Sequence, residues 1–197
     1  MCPNLLKSLK MKMSLMLLLA IAVVQLGWSQ QTYTVSGTIT TEDGTPVPGV
    51  EVFSGNSDVP MVLTNSDGVY ELEFPEGSNG VVSPFNNSQP VNGVSTLDMV
   101  LVWKHIEGTL LLDSPYKIIA ADADHSSTLT AADTAAMRSV LLGITQNFPN
   151  NTSWRFVDAN FNFPNPGNPF ESPFPEVFNI NNITGDITDV DFIAIKV

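Results

Sequence analysis

Apolar and polar residues alternate along the chain between positions 31 and 85. The alternation is regular in segments 32–40, 49–53 and 69–74, which are rich in the β-branched and aromatic residues that favour strands. Sequences rich in glycine, proline, asparagine and aspartate separate these segments and predict tight turns, as at 65–68. Short strands that alternate with turns in this way predict a small antiparallel β-sandwich.

The hydrophobic period changes further along the chain, where apolar residues recur at the i, i+3, i+4, i+7 spacing of one helix face. Segment 94–108 follows this spacing, and segment 129–143 repeats it 35 residues later with apolar residues at corresponding positions. Each copy reads as a loop, a helix N-cap at Ser95 or Thr130, an amphipathic helix and a closing glycine. The repetition is the strongest signal in the sequence, and it predicts two related loop–helix units.

The loop that leads into the second helix, residues 122–133, carries oxygen atoms at regular positions. Side-chain oxygens stand at loop positions 1, 3, 5, 9 and 12, and a backbone carbonyl is expected at position 7: Asp122, Asp124, Ser126, Thr130 and Asp133, with Thr128 for the carbonyl. A hard cation needs six to eight oxygen ligands, and this spacing is typical of an EF-hand-type calcium loop. The loop therefore predicts a Ca²⁺ site.

Two positions depart from the usual calcium loop. Ser127 stands where glycine normally makes the sharp turn, and a left-handed backbone at a serine costs about 1 kcal/mol. Asp133 stands where a bidentate glutamate is usual. The corresponding first loop, 87–98, offers fewer candidate ligands: Asn87, Gln89 and Asp98. Because it has a single carboxylate, we expect this loop to be a weak or degenerate site.

The C-terminal part of the chain has a different composition. Residues 145–181 contain seven phenylalanines and six prolines, and runs such as 161–170 suit neither a helix nor an inner strand. We expect an extended arm whose phenylalanines cover the helical pair, with sugar or protein binding as the alternative. Segment 186–197 matches the start of the repeat, so it predicts a third helix that packs without an ion site.

Residues 1–29 have the pattern of a secretory signal peptide. Three lysines precede an apolar stretch at 15–24, and small residues surround a cleavage position at 27–29. The alternative is an uncleaved membrane anchor, but the apolar stretch is shorter than the span of about 20 residues that a bilayer requires. We therefore expect a secreted or cell-surface protein with no membrane span after signal cleavage.

The charge and cysteine content agree with export. The whole sequence has a net charge of −12, and loss of the signal leaves 5 basic against 20 acidic residues, or −15. Such a surface repels nucleic acid and attracts divalent cations, although the charge also serves solubility. Cys2 is the only cysteine and lies in the signal. The mature chain then has no disulfide, and bound calcium would be a natural substitute.

Three segments of the β region, 35–40, 43–52 and 64–70, carry a resemblance to a known family. Their sequences, VSGTIT, DGTPVPGVEV and TNSDGVY, resemble the carboxypeptidase regulatory-like domain, a transthyretin-like sandwich grouped with carbohydrate-binding-like folds. The resemblance implies a structural or assembly module over 31–85. A sugar site in such a module would be lined by aromatic rings: Tyr33, Phe53 and Tyr70. Packing of these rings in the core is the alternative.

The repeat pair over 87–143 resembles the dockerin domain, in which two calcium loops and their helices pack about a pseudo-twofold axis and dock onto a cohesin partner. The resemblance assigns calcium ligands to loop 122–133 and places partner-recognition positions at 96–97 and 131–132. The intervening segment, 111–121, is expected to pack between the helices. The whole arrangement resembles exported multidomain proteins of Gram-negative bacteria that use type IX secretion. The expected partner is a cohesin-like extracellular protein or a polysaccharide.

These observations predict a mixed β and α protein in four segments: a signal peptide (1–29), a carboxypeptidase regulatory-like sandwich (31–85), a dockerin-like repeat pair (86–144), and an aromatic arm with a third partial helix (145–197). No nucleophile elbow, zinc-protease, P-loop, CxxC or dinucleotide motif is present. A non-catalytic attachment module is therefore favoured. A carbohydrate-binding module, or the accessory region of a larger polysaccharide-degrading hydrolase, is the alternative. We expect His105 to be packed and His125 to point outward.

Overall fold

The computed structural model describes residues 30–197 of the chain. The signal-peptide prediction for residues 1–29 lies outside the described residues. The described part contains two four-stranded sheets and three helices, which confirms the predicted mixed β and α class. Within it, no helix is both long enough and apolar enough to cross a bilayer.

The strands and helices follow one another in a β-rich first half, a helical middle and a β-containing end. The strands are β1 (Thr32–Thr40), β2 (Glu51–Phe53), β3 (Val62–Leu63), β4 (Val69–Pro75), β5 (Gly80–Phe85), β6 (Trp154–Asp158), β7 (Phe178–Ile180) and β8 (Phe192–Lys196). The helices are α1 (Thr96–Ile106), α2 (Pro115–Ala121) and α3 (Ala131–Leu141). Chain contacts join Thr32–Val197 into one compact unit.

The two sheets have the strand orders β4–β1–β8–β6 and β3–β2–β5–β7. β1 and β4 form an antiparallel pair, in which Thr32 lies opposite Pro75. β1 also pairs with β8, and this pair is parallel, with Ile39 opposite Phe192. The strand pairs within 31–85 are antiparallel, as the sequence predicts for that segment, and the parallel pair arises from a strand outside it. The chain reaches β8 only after the helical segment, and a parallel pair requires a long crossover of this kind.

One hydrophobic core is shared by the two sheets. Its buried side chains come from β1 and β4 on one side and from β2 and β5 on the other: Val35, Ile39, Leu72, Phe74, Val52 and Val82. Alternate residues of β1 point into this core, as the sequence pattern predicts. Gly37 lies between two of these inward positions, and a Cβ atom there would stand 2.0 Å from the carbonyl oxygen of Val190. The segment before β8 therefore packs directly against the backbone of β1.

The predicted third helix over 186–197 is wrong, because this segment contains strand β8 at Phe192–Lys196 and no helix. Phe192 and Ala194 face the shared core of the two sheets, whereas Ile193 and Ile195 pack in a second cluster on the other face. A strand that is apolar on both faces has no alternation and resembles a short helix in sequence. Asp189 also has a left-handed backbone, with φ of 61°, which interrupts any helix at this point.

The repeat predicted from the sequence is confirmed in the helices. α1 and α3 each contain 11 residues, and each begins with a capping box, at Ser95 and Thr130 respectively. Gly108 and Gly143 follow the two helices with φ of 68° and 66°, as expected of helix-terminating glycines. The helices share a core whose buried members come from both: Val102, Ala136, Met137 and Val140.

The aromatic arm is packed differently from the prediction. Segment 145–181 contributes strands β6 and β7 to the two sheets, each at an edge, where a proline-rich neighbourhood is tolerated. Most of its phenylalanines cover α2 and the outer face of β6 and β8 rather than the pair α1 and α3: Phe161, Phe163, Phe170 and Phe174. Phe148 does join the core of the helical pair. Segment 111–121 contains α2 at Pro115–Ala121. Ala121 packs with the helical pair, whereas Ile119 lies under the aromatic rings.

Candidate metal site

The loop between α2 and α3 is fixed at both ends by helix caps. Asp122 is the C-cap of α2, and its amide donates to the carbonyl oxygen of Ile119. Thr130 is the N-cap of α3, and Asp133 completes the capping box by accepting a hydrogen bond from the Thr130 amide at 2.8 Å. The first and last ligands predicted from the sequence are therefore held by the helices rather than by a free loop.

Three carboxylates of this loop converge. One oxygen from each of Asp122, Asp124 and Asp133 lies within 4.8 Å of the others. Asp122 and Asp133 are fully buried, and Asp124 is half-buried. Buried carboxylates at this separation repel one another, so they require a cation or a proton to offset their charge. The triad could therefore hold a metal ion, and its all-oxygen donors suit a hard divalent cation.

Backbone amides hold the two buried carboxylates in place. Asp122 accepts hydrogen bonds from Ser126 at 2.8 Å and from Ser127 at 3.0 Å, one on each carboxylate oxygen. Asp133 accepts from Asp124 at 3.3 Å in addition to its bond from Thr130. These bonds fold the loop around the carboxylates. Ser126 donates its hydroxyl to the carbonyl oxygen of Thr128 at 3.1 Å, which draws those two predicted ligands together.

The sharp turn falls at the residue that the sequence indicated. Ser127 has φ of 60°, so it adopts the left-handed backbone that glycine usually provides at this position. His125 is also left-handed, with φ of 57°. Two such residues within one short loop store backbone strain of about 1–3 kcal/mol each, which persists only where surrounding interactions hold it. The amide bonds to Asp122 supply part of that support.

The electrostatics of the triad favour a bound cation. Burial raises the pKa of the Asp133 carboxyl group above its ordinary value, and the negative charges of Asp124 and Asp122 raise it further. The amide hydrogen bonds from Thr130 and Asp124 act in the opposite direction. The raised pKa shows that the folded protein resists ionising this third carboxylate. A divalent cation would remove that resistance by supplying the missing positive charge.

A residue that the sequence did not indicate lies beside the triad. The Nη1 atom of Arg155, on β6, lies 3.7 Å from Oδ2 of Asp122 and has no hydrogen-bond partner. Its Nε atom donates to Glu176 at 2.9 Å, and its guanidinium lies over the ring of Phe174. Asn151 also reaches the loop, since its side-chain amide donates to the carbonyl oxygen of Asp122 at 2.8 Å. Sequence patterns carry no signal for contacts between such distant segments.

Several of the other predicted ligand residues already accept hydrogen bonds through their side-chain oxygens. The hydroxyl of Thr130 accepts a hydrogen bond from the Ala132 amide, because it acts as the helix cap. In the first loop, Asn87 accepts from the Ser153 amide, and Asp98 accepts from the Ser95 amide in the other capping box. The side chain of Gln89 accepts from Asn92. The side-chain oxygens of Asn87, Gln89 and Asp98 are thus each engaged in a hydrogen bond to another group.

Among the described residues, neither histidine belongs to the group of converging carboxylates. His105 is half-buried, and its Nδ1 accepts a hydrogen bond from the Leu112 amide at 3.0 Å. The side chain of His125 is exposed, and its Nδ1 lies 3.2 Å from the carbonyl oxygen of Asn150. These placements agree with a packed His105 and an outward-pointing His125.

The aromatic residues proposed to line a sugar site in the sandwich are not clustered on its surface. Tyr70 is buried in the shared core and donates its hydroxyl to the carbonyl oxygen of Val190. Tyr33 is half-buried against the same core. Phe53 is exposed and meets the edge of the Phe85 ring, with centroids 6.4 Å apart. The structure therefore contradicts a surface role for Tyr70 and leaves Phe53 as the exposed ring of the three.

Comparisons with known proteins give no assignment. No protein-family model matches the chain, and no curated protein matches it. The likeness to the dockerin and carboxypeptidase regulatory-like families therefore rests on the motifs quoted above. The function that follows from the carboxylate triad is accordingly a proposal.

Proposed function

We propose that this chain is a non-catalytic, exported module in which a Ca²⁺ ion stabilises a helical pair that attaches to an extracellular protein partner. One observation carries the proposal: the carboxylates of Asp122, Asp124 and Asp133 converge at the junction of two helices. An ion at this junction would neutralise the buried charges and fix the end of α2 relative to the start of α3.

Calcium is the cation that the donor set favours. Ca²⁺ accepts irregular shells of six to eight oxygens, whereas Mg²⁺ requires a near-octahedral shell and retains several waters. The loop would offer oxygens of three kinds: the carboxylates of the triad, the hydroxyls of Ser126 and Thr130, and the carbonyl of Thr128. Asp133 has a shorter side chain than the usual glutamate, so we expect a Kd of about 10⁻⁴ M, at the tight end of the range for extracellular modules.

The outer surface of the helical pair supports the attachment role. Leu97, Val100 and Trp103 are exposed and lie on α1 at spacings that place them on one side of the helix. Next to them, a shallow groove runs between α1 and α3 and is bordered by Ala135 and Arg138. An exposed apolar surface of this kind is typical of protein contact sites. Because the chain is strongly acidic, we expect the partner to carry an apolar face with basic residues around it.

The test is capture of secreted proteins on the immobilised chain, with calcium or with a chelator. We expect capture to require calcium and to be lost in Trp103→Ala. Leu63→Ala is the matched control, since Leu63 is an equally exposed apolar residue on β3 of the sandwich. Capture that is unchanged by both the chelator and Trp103→Ala would contradict the proposal.

A carbohydrate-binding function is the second candidate, because one cleft has suitable residues. It has a volume of about 480 Å³ and lies beside the carboxylate loop. Its lining combines rings with amide and carboxylate groups: Phe85, Trp154, His125, Asn150, Asn151 and Glu176. Sugars stack on aromatic side chains in such clefts, and polar side chains form hydrogen bonds with the sugar hydroxyl groups. A glycan array tests the carbohydrate-binding function. We expect a glycan to bind the unmodified chain and this binding to be lost in Trp154→Ala. The absence of any bound glycan would exclude this function.

A further inference from the structure

The two repeat loops have different charge environments. Loop 122–133 brings three carboxylates together, whereas the only carboxylate of loop 87–98 is used for helix capping. Asp98 accepts hydrogen bonds from both the amide and the hydroxyl of Ser95. In place of a carboxylate cluster, loop 87–98 presents backbone carbonyl groups to the side chain of Lys196.

The Lys196 ammonium is coordinated by oxygen atoms of this loop. Its Nζ donates to the carbonyl oxygen of Gln89 at 2.9 Å and to that of Ser88 at 3.3 Å. The indole ring of Trp154 lies 5.0 Å from Nζ, at a distance typical of cation–π contacts. Gln89 has a left-handed backbone, with φ of 51°, which shapes this turn of the loop.

Strand pairing delivers the lysine to the loop. In the β6–β8 ladder Lys196 lies directly opposite Trp154, so the ring and the ammonium share one face of the sheet. The residue before β6 holds the same turn, because the hydroxyl of Ser153 donates to the carbonyl oxygen of Ser88 at 2.9 Å. The ends of two paired strands therefore hold loop 87–98.

In the part of the chain that the structure describes, no carboxylate lies within 4.0 Å of this ammonium. None of the ion pairs within residues 30–197 involves Lys196. The residue is half-buried, and burial lowers the pKa of its ammonium group. A partly desolvated ammonium requires replacement of its water shell, and here carbonyl oxygens and a ring face provide it. This is the kind of coordination that a loop gives to a bound cation.

We propose that Lys196 is the built-in cation of loop 87–98, holding its carbonyl groups in place of a metal ion. The chain then takes up a single ion, at loop 122–133. The role of Lys196 does not depend on the proposed calcium function. Only the expectation of a single bound ion rests on that function. Loop 87–98 would then be neutralised by a lysine of the chain itself, and loop 122–133 by an external cation. This difference would explain why the two loops differ in the number of acidic residues.

Hydrogen–deuterium exchange read by mass spectrometry tests the inference. The peptides to follow cover 86–95 and 122–130, in calcium and in chelator. In Lys196→Met we expect amide exchange in 86–95 to accelerate at least about tenfold, since bonds from a charged donor are lost. Exchange in 122–130 should stay unchanged. Lys196→Arg keeps the charge and should retain most of the protection. The control is Lys117→Met, because Lys117 is an exposed lysine paired with Asp113 on the surface.

The outcomes separate the two proposals. Equal exchange of 86–95 in Lys196→Met and Lys117→Met would overturn the role of Lys196, as would protection of 86–95 by calcium in the unmodified chain. If Lys196→Met does not fold, Lys196→Gln takes its place: faster exchange confined to 86–95, in calcium and chelator alike, supports the role of Lys196, and exchange equal to that of Lys117→Met contradicts it. A chelator that leaves 122–130 unaffected counts against the calcium function and not against Lys196.

Discussion

The guanidinium group of Arg155 lies 3.7 Å from the carboxylate of Asp122, although the two residues belong to a strand and a loop far apart in sequence. Arg155 is almost fully buried, and its other contacts are Glu176 and the ring of Phe174. Among residues 30–197, Arg155 is therefore the basic residue whose side chain lies within 4.0 Å of a triad carboxylate. This contact connects the candidate ion site to the sheet and to the aromatic arm.

Replacement of Arg155 should affect the protein most when calcium is absent. Arg155→Met removes the positive charge that lies beside the buried Asp122, so we expect a loss of about 3 kcal/mol in the free energy of unfolding in chelator. A bound ion supplies that charge, and the loss in calcium should be clearly smaller. Urea unfolding in both conditions measures the difference. Arg138→Met, at an exposed arginine of α3, is the control and should show equal, small losses.

Removal of calcium should lower the melting temperature. A ligand that binds only the folded state stabilises it by about 2.7 kcal/mol at 100 times its Kd. For a protein of this size the corresponding shift is about 5–10 °C. Differential scanning calorimetry with calcium and with a chelator measures it. Asp124→Asn, which we expect to bind calcium about tenfold more weakly, should show about half this shift, and an unmodified chain that melts at the same temperature in both conditions would speak against an ion in this loop.

Local sequence rules predicted the repeat well because its determinants are neighbours along the chain. The capping boxes at Ser95 and Thr130, the glycines that end both helices, and the left-handed Ser127 each depend on a few adjacent residues. The convergence of the loop aspartates follows from the same local geometry. These features are fixed by backbone dihedrals and short hydrogen bonds, which sequence spacing reports directly.

The features that the sequence did not predict depend on distant segments. β8 is apolar on both faces because it lies between the shared core and the aromatic rings, so its pattern does not distinguish a strand from a helix. Arg155 and Lys196 reach the two loops only because β6 and β8 pair with each other. The predicted sandwich covers 31–85, whereas three further strands of the two sheets come from the C-terminal part.

The close approach of β1 to the segment before β8 should make Gly37 sensitive to substitution. In Gly37→Ala the added methyl group would stand 2.0 Å from the carbonyl oxygen of Val190, so one backbone must move. We expect a loss of about 3 kcal/mol or more, as for overpacked core positions. Gly185→Ala is the matched control, since no atom lies within 4 Å of its added methyl group. Similar denaturation midpoints for the two variants would contradict the packing described here.

The buried hydroxyl of Tyr70 should contribute to stability through one hydrogen bond. Burial, with the negative charges of Asp191 and Asp158, raises the pKa of this hydroxyl, so it stays protonated and donates to the carbonyl oxygen of Val190. Tyr70→Phe keeps the ring and removes the donor, and we expect a loss of about 1–2 kcal/mol. Tyr33→Phe, at a half-buried ring, should change stability by less. Chemical denaturation of both variants provides the comparison.

Calcium titration by calorimetry tests the ion site most directly. We expect the unmodified chain to bind one ion, and Asp122→Asn and Asp124→Asn each to weaken binding at least about tenfold, because each removes one of three carboxylate charges. Asp113→Asn, at an exposed aspartate paired with Lys117, should bind as the unmodified chain does. Calcium heats that are the same in Asp122→Asn, Asp124→Asn and the unmodified chain would contradict the account.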